Sequence, residues 1–179
     1  MVAVDERERL ELFEKSVMPH LDAAYNLARW LTGNDHHAQD VAQEASLRAF
    51  KFCAGFRGDN PRGWLLAIVR NTFYTWLRKN RPTEKMIELN EEALDLEDTS
   101  ATTESNSQFA DAEAVRRAIA DLPVEYREIV VLREMEGMSY KEIAELAEVP
   151  MGTVMSRLAR ARKLLQKRLT ADFNSGGQP

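Results

Sequence analysis

Residues 139–169 read "SYKEIAELAEVPMGTVMSRLARARKLLQKRL", and two helical patterns meet inside this stretch at Val149-Pro150. The first, 139–147, sets Ile143, Ala144 and Ala147 on one side. The second, 151–169, advances about 100° per residue if helical, which gathers Val154, Leu158, Ala161 and Leu165 into one stripe. Ser156, Arg160, Lys163 and Lys167 lie opposite it, and Arg157 and Arg162 flank it. From Met151 to Arg168 there are six basic residues and no acid. An ordinary surface helix mixes both signs, so a face with only positive and neutral groups suits a polyanion. Two short helices joined by a tight turn, the second basic, make a helix-turn-helix. In that motif the second helix enters the DNA major groove and its first turns reach base edges. The plain alternative is a helix hairpin inside an ordinary bundle.

The positive charge of this helix stands against the rest of the chain. The 179 residues carry a formal net charge of -5. Residues 48–82 hold eight basic residues and one acid, Asp59. Residues 84–113 hold ten acids and one base, Lys85. Basic, acidic, basic blocks mark interaction surfaces or tails more often than they mark uniform solvated faces.

Helical patterns account for nearly every informative segment, and alternating β-branched runs are absent. Residues 8–31 read as one helix ended by "TGN". Asn34 caps a second helix through Phe52, its side chain accepting from an orphan N–H. "CAGFRGDNP" breaks the pattern, and Asn60-Pro61 supplies a cap followed by proline at the first helical position. That third helix reaches Asn80, where Arg81-Pro82 stops it. The segment 83–110, with "LEDTSATTESNSQ", has no helical apolar period and reads as a flexible acidic linker. Four short helices follow at 111–121, 124–135, 139–147 and 151–169. The expected fold is therefore all-α: two small helical domains, 8–82 and 111–170, joined by the linker 83–110. The second is a four-helix domain containing the helix-turn-helix, and 171–179 is a tail.

In the second helix, Ala38, Val41, Ala45, Ala49 and Phe52 form the side expected to be buried. Asp40, Gln43, Glu44, Leu47 and Phe50 form the other. Exposed Leu and Phe beside carboxylates suit a protein-binding patch. The third helix mixes Trp64, Phe73, Tyr74 and Trp76 with Arg62, Arg70, Arg78 and Lys79. Aromatics beside cations suit stacking on single-stranded bases. Phe73 and Trp76 share a side with Leu65, Leu66, Val69 and Leu77 and read as core.

Several classes fall away. No apolar run is long enough to span a membrane. The start, "MVAVDERERLELFEK", is charged where a signal peptide would be apolar, so a cytoplasmic protein is expected. Cys53 is the lone cysteine, which excludes an internal disulfide and a cysteine zinc site. His36, His37 and Asp40 fall at a spacing that can hold a metal, but exposed first-turn residues explain them more simply. No phosphate loop and no catalytic constellation is present, so neither an enzyme nor a cofactor is expected.

The motifs "GMSYKEIAELAEVPMGTVMSRLARARKLL" and "LPVEYREIVVLREMEG" resemble the fourth conserved region of bacterial sigma factors of the extracytoplasmic-function (ECF) group, with the stretch before it. "HHAQDVAQEASLRAF" and "FRGDNPRGWLLAIVRNTFYTWLRKNRP" resemble the second conserved region. The resemblance covers residues 12–169, and the motifs occur in the family's order across a linker. It implies a transcription initiation factor that binds core RNA polymerase, recognises the −10 and −35 promoter elements, and is restrained by an anti-sigma factor. It assigns Asp40, Gln43, Glu44, Leu47 and Phe50 to the clamp helices of the polymerase β′ subunit, and the fourth region to the β flap. It places −10 contacts on Arg57, Asp59, Asn60, Arg62, Arg70, Asn71, Tyr74 and Arg78. It places −35 contacts on Thr153, Met155, Ser156, Arg157, Arg160, Arg162, Lys163 and Lys167. Three departures stand out. Glu148 occupies a position where the family more often has glycine, the −10 loop is about one residue shorter, and Met155 replaces a frequent Lys or Arg. The alternative is an operator-binding helix-turn-helix regulator that acts without being a polymerase subunit. Such proteins usually dimerise to read two half-sites, and no dimerisation helix follows the motif here.

Overall fold

The computed structural model describes residues 6–80 and 108–175, and within them every regular element is helical. The first group contains α1 (Glu6–Ser16), α2 (Leu21–Thr32), α3 (Asp35–Phe52) and α4 (Pro61–Asn80). The second contains α5 (Gln108–Ala120), α6 (Val124–Val130), α7 (Tyr140–Ala147) and α8 (Met151–Ser175). Most of the expected linker, 83–107, lies outside the described residues, while 108–110 already belong to α5.

Two expectations need correction. The single helix over 8–31 is two helices, because a 3-10 turn at Met18–His20 separates α1 from α2. Pro19 causes the break: it lacks an N–H and its ring clashes with the preceding turn. Of the tail expected at 171–179, residues 171–175 belong to α8, and 176–179 lie outside the described residues.

Local signals set the remaining boundaries. Gly33, at φ 65°, ends α2 in the left-handed conformation. Asn34 Oδ1 accepts from the His37 N–H at 3.1 Å and starts α3. Asn60 Oδ1 accepts from the Gly63 N–H at 2.8 Å and starts α4. A Cβ on residue 63 would lie 2.6 Å from Asn60 Nδ2, so a side chain there would displace the capping amide.

The α3 face against α2 and α4 is Ala38, Val41, Ala45 and Ala49, all buried. These small side chains let the helices approach closely. Leu27 and Leu31 of α2 and Leu65, Leu66, Val69 and Phe73 of α4 fill the space. Each contributes roughly 1.5–3 kcal/mol on full burial. Trp76, expected in the core, is half-buried and stacks at 6.1 Å from Phe73. Phe52 was expected on the buried side, yet it is 56% exposed. It is the last residue of α3, and the Lys51 ammonium lies 5.6 Å over its ring.

In the second group, Tyr126 and Ile129 of α6, Ile143 and Leu146 of α7, and Val154, Leu158 and Ala161 of α8 extend the same buried cluster. Helix α6 runs into a π turn at Val131–Met135, where the Glu136 N–H bonds the Val131 carbonyl at 3.0 Å. Ser139 then caps α7 through a full capping box with Glu142.

Candidate nucleic-acid and polymerase-binding surfaces

The turn between α7 and α8 is built on Glu148, at φ 56° and ψ 41°. Its N–H and that of Val149 both bond the Ala144 carbonyl, the latter at 3.1 Å, in a Schellman-type stop. Glycine is the usual residue at this point, so Glu148 carries a backbone strain of about 1–2 kcal/mol. The turn keeps its shape, and α8 emerges with Val154, Leu158 and Ala161 against the core. Met155, Ser156, Lys163 and Lys167 face solvent, while Thr153 and Arg160 are half-exposed.

Two arginines expected on this surface are engaged elsewhere. Arg157 is only 9% exposed and lies close enough to the buried Glu128 to favour its charge. Arg162 donates to Glu134 Oε1 at 2.7 Å while remaining at the surface.

On α3, Asp40, Gln43, Glu44 and Leu47 form a continuous exposed face, with Leu47 61% exposed. Glu44 also accepts from Arg48 Nε at 2.7 Å. Phe50, expected to be exposed, is half-buried because Phe13 of α1 packs edge-on against it at 5.4 Å. His36 lies 3.8 Å from Asp40, and the His37 ring sits 4.9 Å from Trp76.

The residues expected to handle the −10 strand divide into two sets. Arg57, Asp59, Asn71 and Arg78 are exposed. Arg57 Nη1 steadies the loop by donating to the Ala54 carbonyl at 2.7 Å, and the Phe56 ring packs at a tilt against Trp64, centroids 4.8 Å apart. Asn60, itself exposed, and Arg62, Arg70 and Tyr74 meet the second helical group. Arg70 Nε donates to Glu128 Oε1, and the Tyr74 O–H donates to Glu128 Oε2 at 2.9 Å. The Arg70 guanidinium also lies 4.7 Å over the Tyr74 ring. Arg62 donates to the Glu136 carboxylate, and to the Glu136 carbonyl at 3.0 Å. Asn60 Nδ2 donates to Glu142 Oε1 at 3.3 Å.

Burial raises the Glu128 carboxyl above its ordinary range, with Arg70 and Tyr74 pulling it back. Burial raises Glu136 as well, opposed by Arg62. Tyr74 is held protonated, first by burial and then by the Glu128 charge. Glu142 moves the other way, held down by the Ser139 backbone and side-chain donors.

One contact residue went unrecognised in the sequence. Arg127 Nη1 donates to the carbonyls of Leu31 at 3.0 Å and Trp30 at 3.4 Å, at the last turn of α2. A cation at a helix C-terminus is favourable, but nothing in the sequence tied Arg127 to α2. Glu128 did leave a signal. It sits among Tyr126, Ile129 and Val130, and a carboxylate on an apolar side needs a partner.

Residues 17–83 match the family model described as sigma-70 region 2, and residues 112–165 match that described as sigma-70, region 4. The chain belongs to the ECF group of sigma factors. This sigma factor is 32% identical over 178 residues to the ECF RNA polymerase sigma factor SigE of Mycolicibacterium smegmatis, an alignment covering 98% of this chain and 68% of that one. It is 31% identical over 177 residues to the ECF RNA polymerase sigma-E factor of Haemophilus influenzae, covering 90% and 92% respectively. Among solved structures, it is similar to the sigma factor RpoE in complex with the anti-sigma factor NepR from Bartonella quintana. The TM-score is 0.69 at 27% identity, covering 89% of this chain and 98% of that one. In this sigma factor α2–α4 fall in region 2, and the helix-turn-helix of α7 and α8 falls in region 4.

Proposed function

We propose that this sigma factor docks on the β′ clamp helices of core RNA polymerase through α3, and on the β flap through region 4. It directs promoter-specific initiation by reading two DNA elements. The α3 contact comprises Asp40, Gln43, Glu44 and Leu47, with Phe50 at its edge against Phe13. The −10 strand is handled by the loop Arg57–Asn60 and by Arg62, Arg70, Asn71, Tyr74 and Arg78 on α4. The −35 element is read by α8. Thr153, Met155, Ser156 and Arg160 lie in its first turns, and Lys163 and Lys167 reach phosphates. Arg157 braces the core beside Glu128, and Arg162 meets DNA only by sharing Glu134.

The observation that carries this reading is the α8 face. From Met151 to Arg168 it has no acid, Lys163 and Lys167 face solvent with Arg160 half-exposed beside them, and it emerges from a helix-turn-helix inside a matched region 4. The protein acts by binding, with no catalytic step of its own. It works in the cytoplasm; among the described residues no helix is long and apolar enough to cross a membrane. The likeness to a sigma factor solved with its anti-sigma factor supports restraint by such a partner. The units are region 2 at 8–82, a connecting segment that ends before α5 at Gln108, and region 4 from α5 through α8.

Runoff transcription with core polymerase tests the reading. Specific transcripts depend on added protein if it is a sigma factor. An operator-binding regulator would leave initiation dependent on another sigma factor. Asp40→Ala with Glu44→Ala should weaken core polymerase binding at least about tenfold at unchanged helix content, a loss of about 1.4 kcal/mol for the pair. Unaltered affinity in a pull-down removes α3 from the contact.

A further inference from the structure

We propose that Met155, on the first turns of α8, is a specificity-determining residue that reads the 5-methyl group of a thymine in the −35 element. The inference rests on the reading of α8 as the helix that enters the major groove, and it names what the start of that helix selects.

The first turns of α8 are poor in donors just where base edges come within reach. From Met151 to Ala159 the one charged residue is Arg157. It is only 9% exposed and lies beside the buried Glu128. The Ser156 hydroxyl donates to the Thr153 carbonyl at 3.1 Å, which leaves its oxygen to groove partners as an acceptor. What these turns turn outward is apolar. Met151 and Met155 are 51% and 50% exposed, and Ala159 is exposed as well. Spaced four residues apart, the three share one side of the helix and form a ridge. A Cβ added at Gly152 would meet nothing within 4 Å, so the space beside the start of the ridge is open. Further along the same helix, Lys163 and Lys167 face solvent and Arg160 is half-exposed. Phosphates drawn to those cations bring the groove to the methionines.

The base edges then decide the choice. Guanine presents two acceptors to the major groove, O6 and N7, and a thioether has no donor for them. Adenine and cytosine present amino groups, for which sulfur is a weak acceptor. Thymine presents a methyl group, and covering it with an apolar side chain removes both from water. Methionine is unbranched and polarisable, so it can settle on the methyl group without a fixed rotamer.

The test uses the full chain with core RNA polymerase, on promoter duplexes whose −35 sequence has been selected from a randomised pool. The selected sequences should carry thymine at one fixed position. Replacing that thymine by uracil deletes only the methyl group and should weaken binding about threefold to fivefold. Met155→Ala should bind the thymine and uracil duplexes alike. Met155→Leu keeps an apolar side chain of similar size and should preserve the difference. Selection without a fixed thymine, a uracil duplex bound as tightly as its parent, or a methyl preference that survives Met155→Ala overturns the assignment. The reading of α8 outlives that failure as long as scrambling the −35 element abolishes the selected binding. Scrambling without effect removes α8 from the −35 element, and the role of Met155 with it.

Discussion

In α4, Arg62 and Arg70 turn toward Glu136 and Glu128; in α8, Lys163 and Lys167 turn toward solvent. Both helices lie in basic blocks of the sequence. The block arrangement alone cannot tell them apart, because the glutamates that engage α4 lie far along the chain. What separates the two helices is desolvation. A guanidinium beside a buried carboxylate is a structural group first, whereas an ammonium in water is available to any polyanion.

Stability measurements make the largest contrast. Arg70→Ala leaves Glu128 without its strongest partner and should cost about 3 kcal/mol. Lys163→Ala should stay within about 0.5 kcal/mol. Urea unfolding of both variants checks this, and equal losses would erase the distinction between the helices.

DNA binding should reverse the ranking. With duplexes selected for −35 binding by the full chain, Arg160→Ala should cost about 1–3 kcal/mol and relax preference at one base position. Lys163→Ala should weaken all sequences alike and flatten the salt slope by about one unit. Arg162→Ala should do less than Lys163→Ala, because Glu134 already holds that guanidinium. A larger loss at Arg162 would mean that its pair opens on DNA.

The recognition turn offers a smaller effect. Glu148→Gly relieves the left-handed strain but frees the unfolded chain, for a net gain of about 0.5–1 kcal/mol. Thermal unfolding should shift up by a few degrees. A lower midpoint would mean that Glu148 makes a contribution its backbone does not reveal.

Acidity gives the most gradual response. Glu128 faces Arg70 and Tyr74 of α4 and Arg157 of α8, and Glu136 faces Arg62. Both carboxyls are raised in the folded protein, so folding binds protons. That contribution is full below the ordinary carboxyl value of 4.5 and is lost as pH rises through the raised values. Urea unfolding should therefore show the stability contributed by these two groups growing as pH falls below neutral. A contribution that shrinks on mild acidification would contradict the burial of these two groups.

The sequence was most legible where a local rule acts alone. "TGN" and "DNP" announced the end of α2 and the start of α4, because caps depend on neighbours only a few residues away. The alanine face of α3 and the apolar stripe of α8 came from helical period. The break at Pro19 was present in the sequence but was outweighed by the apolar period on either side. Phe50 and Phe52 show the limit of a helical wheel. It gives direction, yet Phe13 of α1 decides what covers Phe50, and Phe52 at the end of α3 stays exposed. The pairs Arg70–Glu128, Arg62–Glu136 and Arg162–Glu134 span long sequence separations, and no local pattern specifies them.

The π turn at Val131–Met135 has a consequence for lineage as well as for shape. Such a turn is an α-helix that has accommodated one inserted residue. Removing one residue from it would return α6 to regular winding and rotate the downstream chain by about 100°. Glu136 would swing away from Arg62 while the core residues before it stayed in place. A single-codon deletion in this turn is thus a one-step evolutionary route between a chain that folds onto its own α4 and one that does not.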